Sequence, residues 1–149
     1  MTDELEILQF MYQANATMRQ HHEEQREKVT QLIILMGGAL LGWISNAKFI
    51  PETRPIAFFV VLLGFFGWLI SEKHYERSRR HIKIADAFRD KIDKLVPQAE
   101  LKTLRDNGLD KHKKDFPRLQ RVHLHVLWRT LSLLISAAGL ACLVYSIVK

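Results

Sequence analysis

The chain has 149 residues, a formal net charge of +6, 48% hydrophobic and 26% charged residues. Its apolar residues are concentrated in three stretches, 29–46, 55–71 and 126–148, which leaves too little chain for a separate soluble catalytic domain. The single cysteine, Cys142, excludes an internal disulfide and a cysteine-based zinc site.

Residues 1–28 open on an acidic Thr2-Asp3-Glu4-Leu5-Glu6 rather than a basic segment, and the first apolar run begins only at Val29, so no cleaved signal is expected. Leu8, Met11, Asn15, Met18, His22, Gln25, Val29 and Leu32 recur at alternating spacings of three and four. This coiled-coil-like seam predicts a cytoplasmic stalk helix running without a break into the first span. Spans of roughly 20 apolar residues cross about 30 Å of hydrocarbon. The segments 29–46 and 55–71 approach that length without a charged residue. The connection between them is short and carries only Lys48 and Arg54 as bases.

After the second span, Ile82, Ala85, Phe88, Ile92 and Leu95 form an apolar stripe beside a charged face, which predicts a cytoplasmic helix over 72–96 that Pro97 ends. Residues 1–28 carry six acids against three bases, and Lys73 to Lys94 carries eight bases against four acids, so the two cytoplasmic helices are expected to pair. Residues 97–125 read as a basic cytoplasmic loop: a short helix from Gln98 to Asp106 closed by Asn107-Gly108, then Lys111, His112, Lys113 and Lys114. Pro117 is placed in the first turn of a helix leading into span three.

Fifteen lysines and arginines lie between Lys73 and His125. By the excess of bases in short cytoplasmic loops, this side is cytoplasmic, the N-terminus is inside and the C-terminus outside. The expected fold is therefore all-α: one helical membrane domain over 1–149, a three-span bundle with the first two spans extended as cytoplasmic helices.

Helices in lipid associate through close approach at small residues. Gly38 and Gly42 in span one and Gly64 and Gly67 in span two are the candidate packing positions, and such faces in a small bundle point to a homo-oligomer. Arg129, Ser132, Ser136, Gly139 and Ser146 fall near one face of span three, with Arg118, Arg121 and His125 leading into it. Polar groups in lipid face a bundle interior or water, so these five are the candidates for lining a pore or an interface. The competing expectation is local: serines bonded to their own helix, and Arg129 extended to the headgroups.

His21, His22, His74, His81, His123 and His125 cluster near the cytoplasmic edge without metal-ligand spacing, and neither a metal nor a cofactor is expected. No phosphate-binding glycine loop or hydrolase motif occurs, so an enzyme is not the expected reading. Arg118 and His123 form an Arg-x4-His similar to that of HEPN ribonucleases, which implies catalysis at a dimer interface; Leu119 stands where that family carries a polar residue. The basic loop has few aromatics to stack bases, so anionic lipid headgroups rather than nucleic acid are its expected partner.

The run His22 to Lys28 before span one, the tight hairpin, and Lys73-His74-Tyr75-Glu76-Arg77-Ser78-Arg79-Arg80-His81 after span two resemble, in organisation over residues 1–95, the small bacterial membrane proteins of anti-phage systems, SLATT-type and CRISPR-accessory. The resemblance implies an oligomeric inner-membrane pore or membrane-disrupting effector, triggered by a cytoplasmic protein or signalling ligand. The third span departs from that pattern. The alternative reading is a non-conducting membrane anchor or regulatory subunit for a soluble partner.

Overall fold

A computed structural model of the chain describes residues 2–119 and 122–148. Among the described residues the fold is all-α with no strand. Four α-helices follow in order: α1 Thr2–Asn46, α2 Arg54–Leu95, α3 Leu101–Asp115 and α4 Leu124–Val148. Short 3-10 turns at Pro51–Thr53 and Pro97–Ala99 precede α2 and α3. Three of the helices, α1, α2 and α4, are long and apolar enough to cross a membrane, so the chain is a multi-pass membrane protein.

The contacts group into two compact units, residues 1–23 with 76–123, and residues 24–75 with 124–149. The second holds the apolar core. Ile33, Ile44, Ala57, Val60 and Ile135 are buried there, with Val29, Leu40, Leu63 and Leu143 packed against them. Glycine positions let the backbones meet. A Cβ at Gly64 would stand 2.5 Å from the Ser136 nitrogen and 2.6 Å from the Ser132 carbonyl, and one at Gly139 would stand 2.9 Å from the Val61 nitrogen. α2 and α4 therefore cross with no room for a side chain at either point.

The hairpin between α1 and α2 closes on two consecutive left-handed residues, Lys48 (φ 55°) and Phe49 (φ 57°). Such a conformation costs a non-glycine residue on the order of 1 kcal/mol. Two local hydrogen bonds, Lys48 N–H to Ser45 O at 3.0 Å and Phe49 N–H to Ile44 O at 3.3 Å, offset it, with the Phe49 ring edge-on to Tyr145 at 5.0 Å.

Three sequence expectations need correction. The seam of α1 drifts: Met11, Met18 and Leu32 are exposed, whereas Arg26, Thr30, Ile33, Gly37 and Ile44 are buried. These buried positions repeat at intervals of seven, Arg26 with Ile33 and Thr30 with Gly37 and Ile44, one residue on from the expected Gln25, Val29 and Leu32. The helix expected to close at Asn107-Gly108 instead continues to Asp115. One internal glycine costs a helix only about 1 kcal/mol, too little to stop it where no tight turn follows. Pro117 lies in a turn, and α4 begins only at Leu124. Pro97 behaves as expected: α2 ends at Leu95, and the Asp93 carboxylate accepts the Leu101 N–H at 2.7 Å to start α3.

Candidate functional site

In the apolar unit, the polar face of α4 turns toward α2. Ser132 is 1% exposed and its hydroxyl donates to its own helix at Trp128 O, 3.2 Å away. Ser136 donates across to Val61 O of α2 at 3.0 Å, directly over Gly64. Ser146 is buried and donates to Leu143 O at 2.8 Å. Gly139 is buried against Val60 and the Ala57 carbonyl. Each proposed lining residue of this face thus lies in the seam between helices of one chain.

Arg129 turns back onto α2 rather than standing free. Its guanidinium forms a two-contact ion pair with Glu72 of α2, Nη2 donating to Oε2 at 2.6 Å and Nε facing Oε1. The same guanidinium lies 5.4 Å over the Tyr75 ring, and Tyr75 stacks on His125 at 4.2 Å. A bidentate arginine pair removed from bulk water is shorter and stronger than an exposed one. At the opposite end of the same two helices, Arg54 donates from Nη2 and Nε to Ser146 O, at 2.7 and 3.2 Å. This satisfies a carbonyl at the end of α4 that has no partner within its own helix.

The glycines divide. Gly64 and Gly67 are buried at helix contacts, with Ile33 seated on Gly67. Gly38 and Gly42 face open space, and a Cβ at either would meet nothing within 4 Å.

The other unit is lined by polar groups. Asn15 anchors its amide by donating to Met11 O at 2.8 Å, which turns its oxygen to His81 Nδ1 at 2.9 Å; His81 therefore carries its proton on Nδ1. His81 stacks on His22 at 5.5 Å, and Ser78 donates to Glu23 at 2.8 Å. Farther along, a cavity of about 230 Å³ is lined by Tyr12, Arg89, Ile92, Leu101 and Arg105. Asp86 bridges its two arginines, 2.7 Å from Arg89 and 3.3 Å from Arg105. Asp90 is held below its ordinary carboxylate range, first by its hydrogen bond from Arg89.

Among the described residues no group of three histidine, cysteine or acidic side chains could hold a metal ion. Arg121, the other basic residue at the approach to α4, lies outside the described residues. Glu72 escapes a reading of the sequence that places it at the start of the cytoplasmic helix 72–96. Its signal is depth: it is the first acid after span two, and Arg129 is the first base of span three on the same side. Searches against family models, curated proteins and solved structures give no match to this chain.

Proposed function

We propose that this chain is a membrane anchor or regulatory subunit of the bacterial inner membrane, N-terminus inside, whose cytoplasmic helices receive a soluble partner or signalling ligand. One observation carries the choice: the serine face of α4 is closed against α2 within a single chain, which turns those serines away from any conduit. The excess of bases between Lys73 and His125 supports the orientation. The polar-lined unit, with the Asn15–His81 pair and, farther along, a cavity lined by Tyr12, Arg89 and Arg105, supports the receiving role.

A second reading has its own support. Gly38 and Gly42 present an open small-residue face to lipid, the kind of surface through which copies associate. On that reading several copies assemble into a pore or membrane-disrupting effector, in line with the resemblance to anti-phage membrane proteins, and the conduit lies between chains. Purified protein reconstituted in planar bilayers separates the two. The anchor reading expects no unitary current at any applied voltage and an unchanged outcome for Gly42→Leu. Discrete currents that Gly42→Leu abolishes would establish the effector reading instead.

A further inference from the structure

The segment from Leu109 to Val122 brings two properties together a few residues before the third membrane span. Its large apolar side chains are exposed: Leu109, Phe116 at 47%, Leu119 at 67% and Val122. Its bases are uncommitted: among the described residues Lys111, Lys114 and Arg118 form no ion pair, and Lys113 meets only Asp110 on its own helix. From Lys111 to Arg118 four bases face one acid, Asp115. By contrast, Arg89 and Arg105 of the same unit are tied to Asp86, Asp90 and Asp106.

Covalent connection adds a limit. Phe116 and Leu124, the first residue of α4, are eight residues apart, so the two are within about 28 Å even when fully extended. A turn bond from Val122 N–H to Leu119 O shortens that reach. The basic and apolar side chains therefore sit on a short tether to the end of a membrane span.

We propose that this segment is a lipid-binding collar: Phe116, Leu119 and Val122 enter the interfacial layer while Lys111, Lys113, Lys114 and Arg118 bind the headgroups of anionic phospholipid. The occupant follows from charge and chemistry. Clustered bases beside a span are drawn to an anionic leaflet, each favouring the bound position by about fivefold, and the attraction dies within a Debye length. Exposed aromatic and aliphatic groups among them supply the apolar half of an interfacial contact. The inference rests on α4 being a span, and the test separates that premise from the collar itself.

A nitroxide spin label is placed at residue 116 through Phe116→Cys in a Cys142→Ala background. A second label at the lipid-exposed position 140, through Leu140→Cys, reports the span. Collision rates with oxygen and with a water-soluble nickel chelate are read in nanodiscs of phosphatidylcholine alone and of phosphatidylcholine with roughly a third phosphatidylglycerol. The label at 140 is expected to be oxygen-accessible and nickel-shielded in both; if it is not, the span premise falls. The label at 116 is expected to gain nickel shielding only with phosphatidylglycerol. Joint replacement of Lys111, Lys113 and Lys114 by Gln is expected to weaken that preference about a hundredfold, and high salt to erase it. A label at 116 with the same accessibility in both lipids overturns the collar. Shielding that follows protein density rather than lipid charge overturns it in favour of a second copy on this surface.

Discussion

The same two helices, α1 and α2, pass through both compact units and are built differently in each. In one unit they present Asn15, His22, Glu23, Ser78 and His81 to each other; in the other, Ile33, Ile44, Ala57, Val60 and Gly67, on which Ile33 sits. The difference follows from the solvent. In lipid there is no hydrophobic force between helices, so contact comes from backbone proximity, which glycine alone permits at Gly64 and Gly139. Outside it, apolar burial is available, and a buried polar pair such as Asn15–His81 serves to fix register rather than to add strength.

The largest effect is expected where backbone meets backbone. Gly64→Ala puts a methyl group into the Ser136 and Ser132 backbone and should cost about 2–3 kcal/mol, read by unfolding in detergent. Gly42→Ala, in open space, should stay within about 0.5 kcal/mol. Equal losses at the two positions would mean that α1 packs through Gly42 on another copy.

Next comes the ion pair. Both side chains are 30% exposed, so Arg129→Met should cost about 2 kcal/mol, less than a fully buried pair, by leaving Glu72 uncompensated. Glu72→Leu combined with Arg129→Met should recover most of that loss. If the double variant is no better than the single one, the pair does not act as a unit.

Smaller still, Asn15→Leu and His81→Leu should each cost about 1 kcal/mol by orphaning a polar partner, with the double variant close to the parent. A coupling near zero in that cycle would remove the register role. The least effect attaches to Asp90, whose carboxylate is depressed by Arg89. A depressed carboxylate stabilises above its ordinary titration near pH 4, and the contribution is lost as pH falls through the lower folded value. Asp90→Asn should thus show a small deficit at neutral pH that closes below about pH 4, followed by circular dichroism.

What was legible in the sequence follows the same division. The spans, their extension into longer helices and the stop at Pro97 come from composition and backbone chemistry, which act locally. Gly38 and Gly42 carry the better motif spacing yet face outward, because spacing says which residues share a face and not what that face meets. Glu72 and Arg129 were separated by 57 positions and by the loop between them, so their meeting depended on the return of the chain. Asn107-Gly108 reads as a stop by local preference, and the surrounding helix overrode it.

The two polar clips between α2 and α4 measure the membrane. Arg54 and Glu72 are eighteen residues apart and Arg129 and Ser146 seventeen, or about 27 and 26 Å of helix. Held at both ends, the two helices act as a ruler for the hydrocarbon they cross. A bilayer much thicker than this cannot be met by sliding one helix along the other, because either clip would break. The surrounding lipid must thin, or the helix pair must tilt less.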